Sequence, residues 1–177
     1  MSLQFNDDGV LSPQDYPMTI EQLKDSLLVR GPGDGFPWNH KKRLMLVNNL
    51  GILVDQLYMV GIDEIFIDGS FVEDKASPSD IDGYFVANPH TLPDIVRELN
   101  KIDPYKVWTW DWSSSIYDRN SAKPQLPMWH RYKVELYPHV GQYCGIFDEN
   151  GNEQKFPAAF RKTRDTFLPK GIIQIIK

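Results

Sequence analysis

Residues 65–85 read IFIDGSFVEDKASPSDIDGYF, two short apolar runs joined by a turn-rich segment. Ile65 to Ile67 is a β-branched and aromatic run that leads into Gly69-Ser70, and Ile81 to Val86 is a second run of the same kind. Nine residues separate Ser70 from Asp80, which opens the triplet Asp80-Ile81-Asp82 at the head of the second strand. Side chains alternate along a strand, so Asp80 and Asp82 project from one face and Ile81 from the other. Two like charges ~4 Å apart at an effective dielectric near 20 repel by about 4 kcal/mol, which calls for a bound cation or a raised pKa. Hard carboxylate oxygens suit Mg²⁺ or Mn²⁺, ions that share their coordination sphere with water and substrate phosphates.

The residues before the doublet fit the other half of such a site. Gly69 lets backbone approach a phosphate closely, Ser70 offers a hydroxyl and an N–H to anionic oxygens, and Lys75 on the connecting loop can reach a triphosphate. Arg43, Lys123, Arg131 and Lys133 are further candidates of that kind. A third carboxylate on a neighbouring strand would complete a two-metal centre. Glu135 in YKVELY is the candidate, because it lies on the polar face of an alternating run, Arg131 to Tyr137, read as a half-exposed strand.

Working outward, residues 1–18 read as an extended arm and Thr19 as the N-cap of a short helix reaching about Val29. The Gly- and Pro-rich RGPGDGFPWNH, residues 30–40, reads as a surface loop without the Gly-Lys-Ser/Thr ending of a Walker phosphate loop. Apolar residues from Leu44 to Tyr58 line one broad face of a long helix over about 39–60, and Leu92 to Lys101 repeats the pattern after Pro89. Tyr105 to Trp110 reads as a strand, with Trp108, Trp110 and Trp112 alternating. Residues 111–129 read as an irregular loop, Asn150-Gly151 as a hairpin turn, Pro157 to Phe167 as a final helix, and GIIQII as an edge strand. The fold expected is α+β: one domain over 1–177, a mixed β-sheet with helices mainly on one side, and a C-terminal appendage at about 157–177.

Composition narrows the function classes. The chain has 177 residues with 19 Lys plus Arg against 24 Asp plus Glu, a formal net charge of -5. A generic nucleic-acid glove is disfavoured, because non-specific binding to a polyanion runs on clustered Lys and Arg. One cysteine, Cys144, excludes an internal disulfide, and no apolar run reaches the ~20 residues of a membrane span, so a reducing cytoplasm is the compartment expected.

Gly69, Ser70, Asp80, Asp82 and Glu135 together resemble the pattern of the nucleotidyltransferase superfamily related to DNA polymerase β. GSFVEDKASPSDIDGYF is similar to segments of small stand-alone bacterial and phage proteins of that superfamily, and the resemblance extends to GVLSPQDYP and the terminal KGIIQI. Asp68 and Gly83 depart from the pattern, each standing where a hydrophobic residue is usual. The resemblance implies transfer of a nucleoside monophosphate from an NTP to a hydroxyl-bearing acceptor. Asp80, Asp82 and Glu135 would hold Mg²⁺, while Gly69, Ser70 and Lys75 would face the phosphates. It also implies an alternative, an inactive binding module with a protein partner, such as a subunit of a toxin–antitoxin or phage-defence pair. The acceptor does not transfer with the resemblance.

Overall fold

The computed structural model describes residues 3–33, 35, 37–119, 121 and 123–177. Five strands form one mixed sheet: β1 Asp15–Met18, β2 Ile65–Asp68, β3 Ile81–Val86, β4 Val134–His139 and β5 Ile172–Ile175, in the spatial order β1-β5-β2-β3-β4. β1 runs parallel to β5 and β3 parallel to β4, while β2 is antiparallel to both of its neighbours, β3 and β5. The fold is α+β, as the sequence leads one to expect.

Strand alternation sorts the chain into layers. Ile65, Ile67, Ile81, Phe85, Val134, Leu136, Ile173 and Ile175 all belong to the main core, on the face covered by helices. The chief of these is α3, His40–Met59, which buries Leu46, Val47, Leu50, Leu53, Val54 and Leu57. Asn39 caps its start by accepting the Lys42 N–H at 3.1 Å. α1, Ile20–Asp25, carries the Thr19 capping box with Gln22, and Ser26 then recaps the chain into α2, Leu27–Arg30. α4, Leu92–Ile102, has Pro93 in its first turn. On the opposite face, Phe66, Tyr84, Phe156, Phe160 and Ile172 form a smaller cluster in which the Tyr84 ring stacks on Phe66 and Phe156. The second face is therefore partly covered, by the segment after β4, and the remainder of that face carries the acidic residues.

Several expectations are corrected. Tyr105 to Trp110 is not a strand: the Asn100 side chain takes both the N–H and the C=O of Trp108, and Trp110 Nε1 caps the edge of β4 by donating to Leu136 O at 2.9 Å. Arg131 and Tyr132 end a helix, α5, Pro127–Tyr132, and Lys133 turns the chain into β4 with φ 54°. The expected C-terminal helix stops after one turn, α6, Phe156–Ala159. Beyond it Lys162 bridges to Pro169, and the Thr163 hydroxyl accepts the Leu168 N–H at 2.9 Å. GIIQII is not at the edge, because the arm supplies β1 outside it. The Asn150-Gly151 turn stands, closed by Asp148 N–H to Asn152 O at 2.9 Å. Asp34 and Phe36 of the expected surface loop, and Asn120 and Ala122 of the irregular one, lie outside the described residues.

Candidate acidic centre on the open sheet face

Registry builds the site. Asp68 on β2 pairs with Asp82 on β3, and Asp82 with Glu135 on β4, so three carboxylates stand in a row across adjacent strands on the face away from the helices. Asp80 precedes Asp82 by two positions at the head of β3. Asp68 and Glu135 are each 5% exposed, whereas Asp80 and Asp82 are half-buried. Four acids thus share one end of the sheet, and Glu135, read in sequence as half-exposed, is in fact buried.

Glycines let the strands and turn close on this row. Gly69 has φ +71°, and a Cβ there would fall 2.2 Å from Asp82 Oδ2, so the Gly69 backbone lies directly against the carboxylate. Gly83 explains one departure from the superfamily pattern: a Cβ on it would meet Phe66 O at 2.4 Å and Leu136 Cδ2 at 2.8 Å. No larger residue fits between β2 and β4 there.

The electrostatics follow from burial and mutual repulsion. Burial, then the charges of Asp80, Glu135 and Asp68, push the Asp82 carboxyl up to about 7, with Lys123 pulling the other way. Burial also raises Glu135, against the pull of Lys123 and of the Tyr137 hydroxyl, which donates to Glu135 Oε1 at 3.2 Å. Burial raises Asp68 as well, opposed by Lys170 and the Gly69 N–H. Lys170 Nζ stands 3.0 Å from Asp68 Oδ1 and 2.5 Å from Glu73 Oε1. Burial works to lower the Lys170 ammonium's pKa, but its two carboxylate partners outweigh burial and the net shift is upward. Lys170 is therefore a buried cation that stays charged.

Asp80 is turned toward α5. Its Oδ2 accepts Trp129 Nε1–H at 2.7 Å and its Oδ1 accepts the Ser79 hydroxyl at 2.9 Å. Lys133 Nζ lies 3.2 Å from the centroid of the same indole. No hydrogen bond from a described residue holds the Asp82 carboxylate. Among the described residues no group of three His, Cys, Asp or Glu side chains is gathered tightly enough to hold a metal ion as the side chains stand. The donor chemistry and the Gly69 cradle fit a divalent ion, but Asp80 and Glu135 are each engaged by a neighbouring side chain.

The other candidates separate clearly. Ser70 lies beside Gly69 at the start of the 3₁₀ turn Gly69–Val72, and Lys75 is exposed on the following loop. Arg43 is no phosphate ligand: it is fully buried and donates to the carbonyls of Leu28, Phe71, Glu73 and Lys75. Trp108 is core, its Nε1 donating to Gln56 Oε1 at 2.7 Å, while Trp112 is 51% exposed. Arg161 donates to the Asp15 carboxylate and the Tyr84 hydroxyl. Sequence reasoning missed Asp68, Lys170 and Trp129 as members of the centre. The signal for Asp68 was present, a charge closing the otherwise apolar run IFID.

No helix among the described residues is long and apolar enough to cross a membrane. Comparison with curated proteins and with solved structures yields no match. A family profile, in contrast, matches residues 3–176, nearly the whole chain, and the protein belongs to that family, a family of unknown function designated DUF6932.

Proposed function

We propose that this protein is a metal-dependent nucleotidyltransferase, moving a nucleoside monophosphate from an NTP to a hydroxyl-bearing acceptor. The observation that carries this reading is the Gly69 backbone packed on the Asp82 carboxylate, with Glu135 in register on the next strand. Asp80, Asp82 and Glu135 would hold Mg²⁺, which when bound supplies charge neutralisation at the phosphates and lowers the pKa of a coordinated hydroxyl. Gly69 and Ser70 would cradle the β- and γ-phosphates through backbone N–H and hydroxyl groups, with Lys75 exposed on the loop that follows. Glu135 would help a second ion activate the acceptor hydroxyl, whose proton is released to water. The acceptor oxygen forms a bond to the α-phosphorus, the bond from that phosphorus to the bridging oxygen breaks, and pyrophosphate leaves with the bond's electron pair. Positioning and charge stabilisation supply most of the rate.

One observation favours a second reading, a binding module without turnover: both oxygens of Asp80 are occupied by protein donors. A thermal-shift panel of ATP, GTP, CTP and UTP with and without Mg²⁺, on wild type and on Asp80→Asn/Asp82→Asn, separates the two. A metal-dependent rise in Tm confined to wild type supports the transferase, since a ligand at ~100 times its Kd adds ~2.7 kcal/mol. No shift with any nucleotide favours the binding module, and co-purification with a partner would then be the next measurement.

A further inference from the structure

The 3₁₀ turn Gly69–Val72 has Asp68 at its N-cap and Glu73 at its C-cap. One ammonium, Lys170 Nζ, contacts the carboxylates at both ends, 3.0 Å from Asp68 Oδ1 and 2.5 Å from Glu73 Oε1. Lys170 is 3% exposed, and its backbone is fixed as tightly as its side chain. Its N–H donates to Arg161 O, and the next residue, Gly171, donates to Leu11 O at 2.9 Å. A Cβ at Gly171 would lie 2.4 Å from Ser12 O. On the other side of the turn, Val10 bridges to Glu73, and the Asp74 N–H donates to Gly9 O at 2.8 Å. The N-terminal arm, the Gly-Ser turn and the C-terminal segment therefore converge on a single buried cation.

Stability alone does not account for this choice of residue. Burying a lysine with two carboxylates carries a desolvation cost that an apolar side chain of similar volume avoids, and such replacements are often neutral or stabilising. What the ion pairs add is a fixed geometry. Asp68 is the ladder partner of Asp82, and the residue between Asp68 and Ser70 is the glycine that rests on the Asp82 carboxylate.

We propose that Lys170 is a positioning residue of the acidic centre: by gripping Asp68 and Glu73 it holds the Gly69–Ser70 backbone against Asp82, so that the C-terminal segment completes a triphosphate cradle. This rests on the nucleotidyltransferase reading and specifies what keeps that site preformed.

The test uses the full chain, Mn²⁺ with inorganic tripolyphosphate as a base-independent probe, and water-proton relaxation to read binding. Lys170→Met alone strands two carboxylates and is expected to lower Tm by about 10 °C. The triple variant Lys170→Met/Asp68→Asn/Glu73→Gln removes all three charges and is expected to recover most of that loss. Its affinity for Mn²⁺–tripolyphosphate is nevertheless expected to stay at least tenfold below wild type, whereas Asp68→Asn alone, which keeps the Glu73 pair, loses less. Affinity returning to wild type in step with Tm would show that the triad only holds the fold and overturn the role. A loss in Asp68→Asn equal to that of the triple variant would assign the effect to Asp68 and also overturn it. Absence of any binding by wild type would overturn the triphosphate reading of the site, and the role of Lys170 with it.

Discussion

Trp129 donates its indole Nε1–H to Asp80 Oδ2 at 2.7 Å, tying helix α5 to the first carboxylate of the Asp80-Ile81-Asp82 triplet. The indole is 4% exposed and carries Lys133 over its face. A hydrogen bond to an ionised acceptor contributes roughly 1.5–3 kcal/mol, and it also sets the direction in which Asp80 points.

A cation that recruits Asp80 must therefore alter the surroundings of Trp129. Titration of wild type with Mn²⁺ and a nucleoside triphosphate is expected to change indole emission, and the change should vanish in Trp129→Phe and in Asp80→Asn. Trp129→Phe keeps most of the ring packing and should cost about 1.5–3 kcal/mol by denaturant unfolding, from the lost hydrogen bond. An emission change that persists in Trp129→Phe would place the responding tryptophan elsewhere.

Asp82 makes the acidic centre a source of pH-dependent instability. Its carboxyl is raised from 3.8 to about 7, chiefly by burial and then by Asp80, Glu135 and Asp68. Between those values the native state holds a proton that the unfolded state has released, so stability falls as pH rises from about 4 to about 7. Asp82→Asn removes that loss. It is expected to be more stable than wild type at pH 8, by on the order of 2 kcal/mol, with the gap closing toward pH 4. Urea unfolding of both proteins at the two pH values measures this, and a gap independent of pH would mean that Asp82 titrates normally in the fold.

How far the sequence carried depended on whether the information was local. Helix α3 was legible because its apolar residues repeat at about 3.6 positions and strand β3 because it is a short β-branched and aromatic run, and Thr19, Asn39 and Gly61 punctuate the chain as caps and turns do. The acidic triplet and Glu135 were legible because a carboxylate on a strand needs a reason to be there. Helix α5 was obscured because Arg131-Tyr132 extends the alternation of β4 backward across a left-handed Lys133. The place of β5 inside the sheet depends on the arm returning beside it, and the Asp68–Lys170 pair joins residues about a hundred positions apart. Periodicity carries no information about either.

Arg43 should be among the least tolerant positions. Its guanidinium donates to four backbone carbonyls, at 2.7 Å to Leu28, 2.8 Å to Phe71, 3.2 Å to Glu73 and 2.5 Å to Lys75, and lies 3.9 Å over the Trp38 ring. Burial lowers its pKa to about 10, with Asp74 opposing, so it remains charged at neutral pH. Arg43→Met leaves those carbonyls without their donor and is expected to cost about 3–5 kcal/mol, far more than a surface change. Arg43→Lys, with one point charge in place of a planar fork, should recover less than half of that in urea unfolding. Full recovery would show that charge alone, rather than the fork, organises residues 71–75.

Gly69→Ala tests the contact on which the proposed function rests. The added methyl falls 2.2 Å from Asp82 Oδ2, and φ +71° disfavours any side chain, so the backbone and the carboxylate cannot both keep their places. Strain at such a position costs of order 1–3 kcal/mol. If the strain displaces the Asp82 carboxylate, the change removes a ligand and the phosphate cradle together. Metal-dependent nucleotide binding should then fall at least tenfold while the far-UV circular dichroism stays that of wild type. The equivalent addition at Gly61, with φ +82° and open space around its Cβ, carries the backbone strain without the collision. Gly61→Ala should lose comparable stability and keep nucleotide binding. Equal binding by the two variants would separate Gly69 from any part in ligand recognition and leave it as a turn residue.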